Sequence, residues 1–236
     1  LPYLQAQGIK QLDTLLISHQ DLDHSGGMKT ILRHLSVSEV SSSIASDHPL
    51  LQFARMQSVP HTPCEVGQSW EWDGVWFQIL HPVAHAQGRA NALSCVLRVT
   101  TAHQALLLPG DIEQSQEADM LARSRLRDDA HAIQANILVM PHHGSRTSSS
   151  AEWLDAVQPK VAVAQVGYRH RFGHPHVDVV ARYDARGIQL LRSDVHGAIE
   201  IQSRGSHLDW ASWRQLHRRY WHTFPDNHTI DREDVH

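Results

Sequence analysis

His19, Asp21, Asp23 and His24 place four metal-capable side chains within six residues, in the stretch LLISHQDLDHSGG. Imidazole nitrogens and carboxylate oxygens together suit zinc or manganese, and a carboxylate-rich set can hold two ions close enough to share a water. The chemistry this loop suggests is two-metal hydrolysis. Three further positions offer donors: Asp111 in LLLPGD, His142 and His143 in VMPHHGS, and His174 and His176 in RFGHPH. Asp111 follows a glycine, which allows close backbone approach, and a lone carboxylate there is well placed to bridge two ions. Gly-Asp and His-His are weak signals alone, but together with the first loop and in this order they make a strong one.

The elements that must position these residues follow from periodicity. Leu12 to Ser18 is an apolar run ending at the first ligands, and Met28, Ile31, Leu32 and Leu35 then recur at helical spacing. The loop therefore sits at the carboxyl end of a strand, where irregular backbone can aim several side chains at one point. Ser69–Trp72 and Val75–Leu80, joined by Asp73-Gly74, read as a hairpin, and Ser94–Thr101 with Gln104–Leu108 as another. Helices are expected over Glu113–Leu126, from a capping box at Ser149 and Glu152 through Val157, and from Pro175 to about Ala185 with His174 at its N-cap. Ile137–Met140, Val161–Val166, Ile188–Leu191 and Ala198–Ile201 read as strands. No repeat or low-complexity linker divides the pattern, so one α/β domain with two sheets between helices is the expected architecture.

The tail Trp210–Phe224 interleaves aromatics with Arg214, Arg218 and Arg219. It reads as a helix docking on the domain, with base stacking as the alternative; beyond Pro225 the chain is polar and expected to fray.

With 21 Lys and Arg against 25 Asp and Glu, the 236 residues carry no basic excess that would advertise nucleic acid, although metal charge at a site can serve a polyanion substrate without one. Cys64 and Cys95 are too few for a disulfide framework and match no zinc-ribbon or thioredoxin spacing, which leaves room for one bridge. Apolar runs are short and the opening lacks a signal-peptide pattern, so the chain reads as soluble. Leu1 in place of an initiator Met suggests that upstream sequence exists. Ser145 to Ser150 contain no Gly-x-Ser-x-Gly elbow, which disfavours a serine nucleophile.

On the HxDxDH loop together with NALSCVLR, LLLPGDIE, VMPHHGSRTSSS, QPKVAVAQVGYRHRFGHPH and LLRSDVHGAI, the sequence resembles the metallo-β-lactamase superfamily. Within it the chain is most similar to the C-terminal domain of the ComEC family of competence proteins, inner-membrane DNA-uptake channels of transformable bacteria. The resemblance covers roughly residues 2 to 201. It implies an αββα four-layer sandwich over residues 1–205, with the family's first strands missing before Leu1, and a C-terminal helix and tail over 206–236. It further implies that His19 and Asp21 face one metal, Asp23 and His24 the other, that Asp111 bridges, and that His142 or His143 completes the second ion.

Asp21 stands where lactamases have a histidine, and Asn91 stands near the middle histidine of the superfamily. The incomplete histidine set disfavours a lactamase. Asp21 makes its position more oxygen-rich and shifts the expected ions toward manganese or magnesium, whereas Asn91 is a poor substitute ligand that would leave the first metal position weak or empty. One or two divalent ions are expected, manganese or zinc first and magnesium as the alternative. The activity implied is a metal-dependent phosphodiesterase or nuclease that degrades the strand not imported, with Asp23, Asp111 and His174 catalytic. Asn91, Ser145, His176 and Asp194 would touch substrate or support the ligands. The alternatives are a non-catalytic DNA- or channel-binding module and a phosphocholine-type esterase. Expected partners are single-stranded DNA and the membrane channel domain of a longer parent, with no nucleotide cofactor and with this domain on the periplasmic side.

Overall fold

The computed structural model describes residues 1–126, 129, 131–169, 171–217 and 219. The chain opens with α1 (Pro2–Ala6), β1 (Gln11–Ile17), α2 (Leu22–Ser25), α3 (Met28–His34), β2 (Ser36–Ser42), α4 (Pro49–Met56) and β3 (His61–Pro63). It continues through β4 (Ser69–Trp72), β5 (Val75–His81), β6 (Val96–Thr100), β7 (Ala105–Leu108), α5 (Gln114–Leu126), β8 (Ile137–Val139), α6 (Ala151–Val157), β9 (Val161–Ala164), α7 (Val177–Asp184) and β10 (Gln189–Arg192). Last come α8 (Ser193–His196), β11 (Ile199–Arg204), β12 (His207–Ser212) and α9 (Trp213–Leu216).

Among the described residues, β1, β2 and β3 form a parallel sheet, and the second sheet runs β10-β9-β8-β7-β6-β5-β4. In the second sheet β7 to β10 are mutually parallel, whereas β4 to β7 meander antiparallel through the two expected hairpins. The apolar clusters define the layers. Ile17, Val37 and Val40 pack with Met28 and Leu32 of α3 and Leu51 and Ala54 of α4. Leu107, Leu138 and Ala162 pack with Met120 of α5, Trp153 of α6 and Val179 and Tyr183 of α7. Between the sheets lie Cys64, Ile79, Cys95 and Leu97, with Leu16 reaching in from β1. Strand alternation explains the split: Ile17 faces its helices while Leu16 faces the other sheet, and Leu107 and Leu108 divide in the same way. The order is helices, sheet, sheet, helices, the expected αββα sandwich.

Cys64, just past β3, and Cys95, just before β6, form a disulfide that joins the two sheets across a sequence separation of 31. The Cys95 N–H donates to the Ser18 carbonyl at 2.8 Å, so this cross-link lies one residue from the first candidate ligand, His19.

Three expectations are corrected. The N-cap of α6 is Ser150, whose Oγ accepts from the Trp153 N–H, rather than Ser149. Ser149 has φ +56° and gives its N–H to buried Glu117, whose other oxygen accepts from Ser150, so the carboxylate outcompetes the capping box for this turn. The N-cap of α7 is His176, through Nδ1 and the Asp178 N–H, because the helix begins at Val177 rather than Pro175. Trp210 lies in β12 and not in a helix: the β11–β12 hairpin runs through the expected division at 205, and only Trp213–Leu216 is helical. The remainder of the expected C-terminal helix and tail, from residue 220 onward, lies outside the described residues.

No helix among the described residues is long and apolar enough to cross a membrane.

Two outcomes follow from this packing. Closing a loop of this length should contribute about 3–4 kcal/mol in a chain-entropy account, so Cys64→Ser with Cys95→Ser, or reduction, should lower urea-unfolding stability by that order; an unchanged midpoint would show that the bridge constrains little. Burial pushes the Glu117 carboxyl above its ordinary value despite the two N–H donors. A raised folded-state pKa means stability present at low pH that is lost as pH climbs from about 4.3 through the raised value. Glu117→Gln should remove that descending slope from a stability–pH series.

Candidate metal centre

Four strand ends converge on one point. β1 delivers Ser18 and His19, after which a single helical turn, α2, presents Asp23 and His24; Ser25 Oγ donates to the Gln20 carbonyl at 2.8 Å and cinches the loop. β7 delivers Asp111 after Gly110, which has φ +58° and no room for a side chain, since a Cβ there would lie 2.9 Å from Ser18 Cβ and 3.0 Å from Ser94 Cβ. β8 leads to His142 and His143, both left-handed at φ +48° and +54°, a conformation unfavourable by roughly 1–2 kcal/mol per residue. The turn is held by the His142 N–H on the Gly110 carbonyl and by Gly144, where a Cβ would strike Met140 Sδ and Pro175 Cβ at 2.5 Å. β9 leads into the segment carrying His174.

Asp111 is 4 % exposed and its two oxygens face different neighbours. Oδ1 lies 3.1 Å from His24 Nε2 and 3.6 Å from His143 Nε2. His24 Nε2 and His143 Nε2 are 3.1 Å apart, and Asp23 Oδ2 stands 3.5 Å from His143 and 3.9 Å from His24. One donor atom from each of Asp23, His24, Asp111 and His143 thus falls within 4.8 Å of all the others. Four donors around a zinc at 2.0–2.1 Å sit about 3.3–3.4 Å from one another, so this group is close to the size of a four-donor shell but looser than one.

Asp111 Oδ2 faces a looser group. His19 Nε2 and His142 Nε2 each lie 3.9 Å away, and Asp21 Oδ2 is 3.6 Å from His19. His19 is 1 % exposed, and its Nε2 is buried without a hydrogen-bond partner, aimed at the two carboxylates. An orphaned buried ring nitrogen is costly unless something binds it, which fits a cation at this position. Asn91 completes the group with Nδ2 3.3 Å from His142 Nε2.

Burial holds the His19 imidazole below its ordinary value, reinforced by neighbouring His24, so His19 is neutral, the form that ligates metal. Burial also opposes charge on His24, but the hydrogen bond and charge of Asp111 with the charges of Asp23 and Asp21 outweigh it and raise its pKa. Burial opposes charge on Asp111 as well, but the hydrogen bond and charge of His24 with the charges of His143 and His142 outweigh it and hold its carboxyl below the ordinary range.

The metallo-β-lactamase superfamily profile matches residues 1–168. The chain belongs to the metallo-β-lactamase superfamily. Competence protein ComA of Neisseria gonorrhoeae is 34 % identical over 226 residues, covering 95 % of this chain and 30 % of the relative. ComE operon protein 3 of Bacillus subtilis is 32 % identical over 207 residues, covering 86 % and 26 %. The chain therefore spans less than a third of the length of the curated relatives it matches. Among solved structures, Igni18, a metallo hydrolase from Ignicoccus hospitalis, superposes with a TM-score of 0.50 at 12 % identity over 85 % of this chain and 80 % of its own, a likeness of fold.

This superfamily implies divalent ions and metal-dependent hydrolysis in general, and the donor set fits such ions. Of the residues expected at the site, Asp21, Asp23, Asn91, Asp111, His142, His143 and His174 line one cleft of about 510 Å³, and His19 and His24 stand behind them. Three others stand elsewhere. Ser145 Oγ pairs with Thr147 Oγ1 at 3.1 Å within the turn after the histidines. His176 caps α7 and receives Arg146 Nε at 3.2 Å. Asp194 pairs with Arg192 at 2.7 Å. In each case a local backbone or guanidinium partner claims the side chain.

Sequence reasoning missed the residues that orient the ligands. Ser18 Oγ lies 3.0 Å from His19 Nδ1 and 3.2 Å from His24 Nδ1. Ser94 Oγ accepts the Asp111 N–H at 3.0 Å and lies 3.3 Å from His19 Nδ1. Glu113 Oε1 stands 3.4 Å from His142 Nδ1, and the Gln165 carbonyl 2.8 Å from His143 Nδ1. Such partners fix ring orientation and ligand basicity, and nothing in a serine's sequence neighbourhood announces them. Arg171 and Phe172, in the cleft wall beside His174, were also missed, although an arginine and an aromatic beside GHPH were a visible signal.

His143 and His142 separate by geometry. In zinc or manganese titrations, His143→Ala should lose the tighter binding event, whereas His142→Ala should weaken the looser one. Ser94→Ala should cost roughly 10–100-fold in affinity through Asp111 and His19. Equal loss in both histidine variants would refute the assignment.

Proposed function

We propose that this domain is a metal-dependent phosphodiesterase that acts on DNA during competence, cutting the strand that is not imported. The observation that carries the reading is the division of Asp111: one oxygen faces Asp23, His24 and His143, the other His19, Asp21 and His142. A carboxylate so placed could hold two cations together, the first set suiting zinc or manganese and the second, looser and with the Asn91 amide beside it, manganese or magnesium. When bound, such a pair makes a nucleophile from water near neutral pH and neutralises the oxygens of a phosphoryl group in flight.

The chain's own residues do the rest. Ser18 and Ser94 keep the buried rings in one orientation, and the cleft holds the phosphodiester against Asp23 and Asp111. His174, its ring centroid 6.2 Å from that of His142, stands in the cleft wall where its ring can give a proton to the leaving oxygen. The link to DNA uptake draws on the competence-protein relatives. The Cys64–Cys95 bridge supports a periplasmic position beside a membrane channel domain, because such bridges persist in oxidising compartments.

The test is purified protein with manganese, zinc or magnesium and end-labelled single- and double-stranded DNA. Cleavage should require metal and fall to the metal-free level in Asp23→Ala and Asp111→Ala; cleavage retained by both would overturn the reading. His174→Ala should lower the rate by about 100-fold or more if it is the general acid, and an unchanged rate removes it from the chemistry. The second reading, a binding module, is favoured by Asn91 in the looser group, and DNA retention without any cleavage would establish it.

A further inference from the structure

Between β9 and α7 the chain leaves the body of the domain and returns. Both feet of this segment are tied to the site. At the first, the Gln165 carbonyl meets His143 Nδ1, and Val166 exchanges hydrogen bonds with Ser193, its N–H donating to Oγ and its carbonyl accepting from it, both at 2.8 Å. At the second, Pro175 packs on Gly144 and the His176 N–H donates to the Gly144 carbonyl at 2.8 Å. Between the feet, the described residues from 167 to 173 are exposed, and their sequence is Gly-Tyr-Arg-His-Arg-Phe-Gly.

Tyr168 is 67 % and Phe172 60 % exposed, so both rings present apolar area to solvent. Arg169 lies 5.3 Å from the Tyr168 ring centroid and Arg171 4.5 Å from that of Phe172, so each ring carries a guanidinium beside it. Among the described residues, neither arginine forms an ion pair with a carboxylate. Arg171 is the only arginine or lysine among the described residues lining the cleft, which Asp21, Asp23 and Asp111 also line. The Phe172 and His174 ring centroids are 6.0 Å apart, and those of His174 and His142 6.2 Å, so rings line the way from solvent to the metal donors.

We infer that Tyr168, Arg171 and Phe172, between β9 and α7, form a recognition flap for unpaired nucleotides: Phe172 and Tyr168 stack on exposed bases while Arg171 holds the phosphate of the strand entering the cleft. This rests on the proposed phosphodiesterase reading and adds a determinant of strand specificity to it. Aromatic stacking of this kind tolerates any base, because every base has a π-face, and demands that the base be unstacked from a partner strand. A duplex offers phosphates to Arg171 but no open base faces to Phe172 and Tyr168, so the flap selects single strands.

The test uses the full chain and three fluorescein-labelled probes of equal length: oligo-dT, an abasic strand that keeps the phosphodiesters without bases, and a duplex. Anisotropy without added divalent metal, where the strands stay intact, should show oligo-dT bound tighter than the other two. Tyr168→Ala with Phe172→Ala should weaken oligo-dT binding by about 30-fold or more, at 1–3 kcal/mol for each of two stacked bases, and leave abasic binding unchanged. Phe172→Tyr should retain oligo-dT binding, and unchanged thermal melting should show that the variants fold. Arg171→Ala should weaken all three probes and flatten their salt dependence. Equal binding of oligo-dT and abasic strands by the unmodified chain, or oligo-dT binding unaffected by the double variant, overturns the flap. Loss of binding to phosphatidylserine vesicles with oligo-dT unaffected would assign the rings to a membrane surface instead. Because anisotropy reads binding without cleavage, stacking-dependent binding with no cleavage of any strand would sink the phosphodiesterase reading and leave the flap standing.

Discussion

A carboxylate buried at the end of a central strand is the constraint around which this structure is arranged. Asp111 cannot keep its charge away from water without compensation, and its partners come from every neighbouring strand end. Its own N–H is taken by Ser94 and its oxygens are surrounded by His19, His24, His142 and His143. Each backbone peculiarity nearby serves that meeting. Gly110 lets β7 come against Ser18 and Ser94, and the left-handed pair His142 and His143 turns two consecutive imidazoles to opposite oxygens of one carboxylate. Strain of this kind persists where the surroundings over-determine it, and here the Gly110 carbonyl, Gly144 and Pro175 do so.

The sandwich makes the convergence durable. His19 belongs to one sheet and Asp111 and the histidine pair to the other, so any sliding of the sheets would separate the donors. The inter-sheet cluster and the Cys64–Cys95 bridge oppose that sliding, and the bridge is hydrogen-bonded beside the first ligand. Glu117 acts similarly at the other end of the histidine turn, where its carboxylate gathers the N–H groups of Ser149 and Ser150 before α6 begins. Function and stability therefore share the same few contacts.

The strands and most helices were legible because their signals are local. Asp73-Gly74 demands a tight turn, and the apolar run from Leu12 to Ile17 is a strand whose leucines and Ile17 pack in two apolar clusters. The errors fell where a distant group decided a local contest. Ser149 and Ser150 are both good caps, and Glu117, 33 residues away from Ser150, chose between them. His174 and His176 both fit a helix entry before or after a proline, and packing on Gly144 decided for His176. Trp210 reads as one more residue of an amphipathic tail, but pairing with Ile201 makes it strand, because strand pairing is a property of two segments and not of one.

Sequence by itself determined the inventory of candidate donors and the order of strand ends, since donor chemistry belongs to side-chain type and a strand's end is visible in its own residues. It also determined that one candidate position carries a carboxylate, through Asp21. Only the tertiary structure decided which histidine serves which side of Asp111, that Ser18 and Ser94 hold the rings, and that Arg171 and Phe172 stand in the same cleft as Asp23. Those are distances between segments far apart in the chain, and no local preference encodes a distance that exists only once both sheets are packed.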